Sequence, residues 1–252
     1  MGDYQGATVV AEGLTLRGPR GVVYQDVSFE AGPGQLVALV GDSGSGRTSL
    51  LLTVAGRMRP SAGQASVDGR PLPRRAGAVR RRVALGPVAG VNDLDGALTV
   101  EEHLTERLLL RAHGPGAARR VAAALAATGL DAADLPRRAD TLTALQSFRT
   151  ATAAALLSGP RVLAVDDVGD RLDAADRDTA WQALRALADA GLTVVATGRE
   201  EPAIADVVVT LDRDGARGNV AGVGRDGADG AGGSGDETDG ADRTDEGGDE
   251  NE

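Results

Sequence analysis

Residues 41 to 49 read Gly41-Asp42-Ser43-Gly44-Ser45-Gly46-Arg47-Thr48-Ser49. They follow an apolar stretch of strand length, Gln35-Leu-Val-Ala-Leu-Val40, and lead into Leu50-Leu51-Leu52, the opening of a helix. A glycine-rich loop between a strand and a helix turns backbone N–H groups toward an anion, and the helix N-terminus adds partial positive charge. Glycines at 41, 44 and 46 permit that turn because they carry no Cβ. All nine residues are candidate nucleotide-binding positions, and a nucleoside triphosphate is the first ligand to consider. One position departs from the phosphate-loop pattern: Arg47 stands where the pattern has lysine. A guanidinium is longer and planar where a compact ammonium would sit between phosphates, so binding is expected to be weakened rather than abolished.

Outside this loop, composition narrows the options. The 252 residues can hold one domain with a large core, or a main domain with a smaller lobe. No apolar run approaches the roughly 20 residues of a membrane-spanning helix, and no signal segment opens the chain, so a soluble intracellular protein is expected. Cysteine is absent, which excludes thiolate and disulfide chemistry, and two scattered histidines argue against a zinc site. Both histidines, His103 and His113, read as solvated helix or loop positions, and Trp181 reads as packing on its helix. All 27 basic residues are arginine and isoleucine occurs once, at Ile204, a bias that fits a GC-rich genome. The net charge of −10 is concentrated at the end: residues 225–252 hold eleven Asp or Glu against two Arg, net −9. That Gly-, Asp- and Glu-rich stretch cannot bury a core and is expected to be a disordered tail, 219–252, behind a domain spanning 1–218. With no basic excess left in the domain, nucleic acid is not expected as a partner.

Periodicity gives a coarse map. Strands are expected at 7–16, 22–29, 35–40, 63–69 and 80–85, the last led by arginines. Helical spacing follows over 99–112 and 117–128, with Val100, Leu104, Leu108, Val121 and Leu125 turned inward, forming a helical lobe over about 95–150. A helix at 149–158 stops at Gly159-Pro160. The apolar strand Arg161–Val165 ends in Asp166-Asp167, and a helix at 174–190 and strands at 192–196 and 207–211 complete the alternation. Strands alternating with helices predict an α/β fold with a mainly parallel sheet covered on both faces. A carboxylate at the end of an apolar strand downstream of a phosphate loop suits Mg²⁺, held by the loop hydroxyl and the Asp, so Thr48 and Asp166 are the candidate metal ligands.

The landmarks also come in a definite order: the strand before the loop, Gly63–Gly69, Arg80-Arg-Arg-Val83, Leu98-Thr-Val-Glu-Glu-His-Leu104, Arg161–Asp167, Leu172-Asp173 and Ala205–Asp212. In this the chain resembles, over about residues 8–213, the nucleotide-binding subunit of ATP-binding cassette transporters; the segment near 80 is most similar to drug-resistance-type exporters. The resemblance implies a P-loop NTPase fold with a mainly parallel core sheet, an N-terminal antiparallel β subdomain and a helical lobe. It also implies ATP and Mg²⁺ as ligands, membrane permease subunits as partners, and a cytoplasmic location at the inner face of the membrane. Two cassettes, identical or different, would share each ATP site, one giving its phosphate loop and the other its signature peptide, with Asp173 in the loop between subunits.

Against that family the departures matter. The signature Leu-Ser-Gly-Gly-Gln corresponds to Leu142-Thr143-Ala144-Leu145-Gln146, which lacks both glycines and is expected to set Leu145 where the anion should lie. The catalytic glutamate corresponds to Asp167, one methylene shorter, and the histidine that contacts the γ-phosphate corresponds to Gly198. No glutamine occurs between Gly86 and Leu94, and no aromatic residue near Arg17 can stack on adenine. Hydrolysis is therefore expected to be slow or absent. The alternative is a non-catalytic cassette that assembles or regulates a membrane complex, its acidic tail meeting a basic partner. A P-loop kinase or GTPase would leave the helical lobe and Leu172-Asp173 unexplained.

Overall fold

The computed structural model describes residues 4–110, 116–212 and 219–222. The chain opens with a long antiparallel hairpin, β1 (Val9–Gly18) and β2 (Gly21–Ala31), folded back at Pro19-Arg20. After β3 (Leu36–Gly41) and α1 (Arg47–Val54), β4 (Ala62–Val67) and β5 (Arg70–Leu72) join the hairpin in a four-stranded antiparallel sheet of order β2-β1-β4-β5. The short helix α2 (Ala76–Arg80) leads to β6 (Val83–Leu85). The helical lobe comprises α3 (Val100–Leu109), α4 (Ala117–Thr128) and the start of α5 (Ala144–Leu156). The chain then returns through β7 (Val162–Val165), α6 (Ala174–Asp189), β8 (Thr193–Gly198), β9 (Val207–Leu211) and β10 (Asn219–Gly222). The second sheet has the order β10-β9-β3-β8-β7-β6 and is parallel except for β10.

β3 lies inside this sheet and is covered on both sides, which is why its sequence is continuously apolar rather than alternating. Side chains on a strand point alternately to opposite faces. Val37 and Leu39 accordingly pack with α1 and the antiparallel sheet, whereas Leu36, Ala38 and Val40 pack with α5 and α6. At roughly 1.5–3 kcal/mol for each large apolar side chain fully buried, these two cores hold the end of β3, and the loop after it, in place. A buried polar contact fixes the strand's other end. Arg185 on α6 donates to Asp206 Oδ2 at 2.5 Å and to the Gly34 carbonyl at 3.0 Å, and Asp206 accepts the Leu36 N–H at 2.7 Å.

The α/β cassette expected from the sequence is the fold observed, with local corrections. Arg80 does not begin a strand; it closes α2, and β6 starts at Val83. A three-residue strand and a five-residue helix are too short to show a period. The sheet runs to Gly222, past the boundary set at residue 218, because β10 covers the open edge of β9. The rest of the acidic tail, 223–252, lies outside the described residues, as does His113. His103 is buried rather than solvated: it faces inward at the start of α3, and its Nε2 is 3.0 Å from the Asp95 carbonyl oxygen. Val100, Leu104 and Leu125 are buried, while Leu108 and Val121 are half-buried against the same core.

Candidate nucleotide site

The loop between β3 and α1 has the backbone its glycines allow. Gly46 is the N-cap of α1 at φ 93°, and a Cβ there would overlap the Val23 carbonyl oxygen. Gly41, at φ 145°, is crossed as closely by the Leu211 carbonyl. Because the N-cap is a glycine, no side chain caps α1. Two polar side-chain atoms are buried in the loop without a hydrogen-bond partner, Ser45 Oγ and Arg47 Nη1. Arg47 is only 8% exposed, and its Nη2 lies 3.5 Å from Asp167 Oδ1. Buried donors without acceptors are costly, and an anion at an uncapped helix end would satisfy them. The loop therefore fits a phosphate.

Beside it, two strand ends and a helix bring hydroxyls onto one carboxylate. Thr48 Oγ1 contacts Asp166 Oδ2 at 2.8 Å and Oδ1 at 3.0 Å. Thr197 donates to Asp166 Oδ1 at 2.7 Å and accepts the Asp167 N–H at 2.6 Å. The parallel register pairs Val165 with Ala196, so the next residue of each strand, Asp166 and Thr197, fall side by side. Thr197 is the polar partner that sequence reasoning missed; a threonine closing an apolar strand was its only trace, and register is invisible in a sequence. Asp167 follows in the left-handed region at φ 45°, a costly conformation for a side-chain-bearing residue, and this turn directs its carboxylate to Arg47. Among the described residues no three His, Cys, Asp or Glu gather as a metal site. A Mg²⁺ ion would fit Thr48 and Asp166 only with further oxygens from nucleotide and water.

The remaining candidates lie on other elements. Thr143 is the N-cap of α5: its Oγ1 accepts the Gln146 N–H at 3.2 Å, and Gln146 Oε1 accepts the Thr143 N–H at 2.9 Å. Gln146 Nε2 also donates to Asp134, and Arg137 donates to both Asp134 and Gln146. Leu142 and Leu145 are half-buried against the core. Ala144 opens the first turn. Asp173 caps α6 by accepting the Asp176 N–H at 2.8 Å. At Gly198 the space a side chain would need is taken by Trp181, whose Cζ2 lies 2.9 Å from an ideal Cβ there. Trp181 is buried and also lines a cleft of about 620 Å³ beside Asp167, Arg177 and Arg199.

The ABC transporter family model matches residues 24–168, from β2 through the phosphate loop to the carboxylates after β7. The chain belongs to the ABC transporter family. Within it, this cassette is 36% identical over 180 residues to the Nod factor export ATP-binding protein I of Burkholderia thailandensis, covering 70% of this chain and 57% of that protein. It is 35% identical over 189 residues to the cytochrome c biogenesis ATP-binding export protein CcmA of Pseudomonas putida, covering 74% of this chain and 87% of that protein. Among solved structures, the dimeric bacterial ABC transporter cassette MJ0796 superposes with a TM-score of 0.73 at 20% identity, over 85% of this chain and 98% of that one. The cbiO1 subunit of a Clostridium perfringens ABC transporter complex superposes with a TM-score of 0.73 at 22% identity, over 87% and 88%. At these identities the structures establish the cassette fold. The described residues contain no helix long and apolar enough to cross a membrane.

Proposed function

We propose that this cassette binds Mg·ATP as the ATP-binding subunit of a membrane transporter, at the inner face of the membrane, and hydrolyses it slowly. The observation that carries the reading is the pair of buried, unpartnered donors in the phosphate loop, Ser45 Oγ and Arg47 Nη1, beside the Thr48–Asp166 contact. Bound there, Mg²⁺ would offset phosphate charge, with Thr48 and Asp166 as its protein ligands. This chain's own residues then divide the work. The loop N–H groups and Arg47 orient the phosphates, Thr197 keeps the Asp166 carboxylate aimed at Thr48, and Asp167 is the base candidate.

Three features support slow turnover. The Asp167 carboxylate stops one methylene short of a glutamate, a displacement of about 1 Å that can cost on the order of 10²-fold. Arg47 holds that carboxylate in an ion pair. Gly198 presents no side chain, and Trp181 fills its space. A second cassette, a copy or a relative, would complete each composite site, and permease subunits would be the membrane partners.

Thermal unfolding with and without millimolar Mg·ATP tests the binding. At about 100 times Kd a ligand adds roughly 2.7 kcal/mol, which raises Tm by about 5–10 °C for a domain of this size. Chelating magnesium or substituting GTP is expected to shrink the shift. Absence of any shift would favour the other reading, a non-catalytic cassette that assembles a membrane complex, for which the self-capped start of α5 is the supporting observation. For turnover, Asp167→Glu is expected to raise phosphate release by about 10- to 100-fold. An unchanged rate would remove Asp167 from the chemistry.

A further inference from the structure

Arginine is spread unevenly over this cassette. Residues 57–82 hold eight arginines and one acid, Asp68, while residues 1–224 as a whole are balanced to within a single charge. The fold gathers these arginines around β5, α2 and the approach to β6. Asp68, in the turn before β5, is shared by three of them: Arg70 at 2.5 Å, Arg82 at 2.7 Å and Arg161, which enters β7, at 2.7 Å. Burial works against the Asp68 charge, but the Arg82 hydrogen bond and the three guanidinium charges outweigh it and hold the carboxyl below its ordinary value. One carboxylate therefore faces three cations.

The other six, Arg57, Arg59, Arg74, Arg75, Arg80 and Arg81, are exposed, and none forms an ion pair among the described residues. Arg57 and Arg80 donate only to carbonyls, those of Ala55 and Gly56. Although Arg57 is exposed as a whole, partial burial of its guanidinium first, and then the neighbouring Arg80 charge, pull it below its ordinary value. The result is a surface with a net charge of +8, counting Arg161, with Asp68 the one acid among residues 57–82.

The counter-charge lies in the same chain. We propose that the acidic segment 223–252 of this chain docks on the arginine surface of β5 and α2. The segment carries eleven Asp or Glu against two Arg, net −9, which matches the surface in magnitude and opposes it in sign. It also contains three aromatic-free, glycine-spaced acidic clusters, Asp236-Glu237, Asp245-Glu246 and Asp249-Glu250, suited to salt-bridging guanidinium groups rather than to packing. Its reach is sufficient. The described chain ends at Gly222 on β10, at the opposite edge of the parallel sheet from β6. Five strand spacings of about 4.8 Å separate those edges, roughly 24 Å, whereas thirty residues can span up to about 100 Å. Being tethered, the segment meets the surface at an effective concentration that a free anion would need to be about millimolar to match. Two of the arginines, Arg57 and Arg80, also stand on the rim of a groove of about 310 Å³ floored by Val83, Leu85 and Ala155.

The absence of cysteine permits a direct test on the full chain. A nitroxide attached to Gly240→Cys is expected to weaken the amide signals of Arg74, Arg75 and Arg81 about twofold or more at about 50 mM salt, and to release them near 0.5 M, where screening is strong. The same release is expected in Arg74→Glu/Arg75→Glu/Arg81→Glu, whose exposed, unpaired side chains leave the fold intact, and in the reciprocal variant Asp236→Asn/Glu237→Gln/Asp239→Asn. Signals untouched at low salt, or weakening that survives both charge changes, would overturn the proposal. So would binding of phosphatidylglycerol vesicles through these arginines while the label leaves them untouched, since the surface would then belong to a membrane.

Discussion

Two helices of this cassette begin in opposite ways. α1 starts at Gly46 with no side-chain cap and with buried donors, Ser45 Oγ and Arg47 Nη1, left without partners. α5 starts at Thr143, whose hydroxyl and Gln146 close a reciprocal capping box, with Asp134 and Arg137 tying the glutamine down. Both helices offer the same partial positive charge from their first N–H groups. One end is open to an anion and the other has satisfied itself. The difference teaches that a helix N-terminus becomes a binding site only when its own sequence withholds the cap.

Closing the open end should have the largest effect. Gly46→Ala places a Cβ against the Val23 carbonyl at a φ that side chains resist, and is expected to cost about 2–4 kcal/mol in denaturant unfolding while abolishing the Mg·ATP shift. A variant that keeps both stability and nucleotide response would show that the loop's shape is not what matters. Opening the closed end should cost less. Thr143→Ala removes a cap worth about 1 kcal/mol, a fall in Tm of about 2–4 °C, and should leave the nucleotide response of the isolated chain unchanged. A large loss of nucleotide binding would mean that the two ends are coupled within one chain.

The smallest effect sharpens the contrast by pH. α3 carries a second closed end, Thr99 with Glu102, whose carboxyl accepts the Thr99 N–H at 2.7 Å. That backbone bond, and then the Thr99 hydroxyl, hold the Glu102 carboxyl below its ordinary value of 4.5. A carboxyl depressed in the folded state stabilises above its unfolded value, and the contribution fades as pH falls through the folded one. The protection factor of the Thr99 amide should therefore fall below about pH 4.5, whereas that of the Thr143 amide, held by Gln146 Oε1, which has no proton to gain, should not follow the same titration. Equal pH dependence at both helix starts would refute the assignment of the caps.

How legible this was depended on element length and burial. β3, α4, α6 and β9 were readable to within a residue or two, because a fully buried strand is continuously apolar and a long surface helix shows its period. Within the candidate site, the loop residues, Thr48 and Asp166 followed from spacing alone. Arg80 was misread because α2 and β6 together span too few residues to reveal a period. His103 was misread because its burial depends on the Asp95 carbonyl, eight residues upstream in a loop.

By itself, then, the sequence determined the strand-loop-helix around residues 35–52, the order of the cassette's landmarks, and which chemical groups the site can draw on, since these depend on local backbone freedom and side-chain identity. Tertiary structure alone decided that Thr197 shares Asp166 with Thr48, that Trp181 fills the space at Gly198, and that Asp167 answers Arg47. These contacts join residues 17 to 120 positions apart, brought together by the packing of two cores and the register of parallel strands, which leave no local trace in the chain.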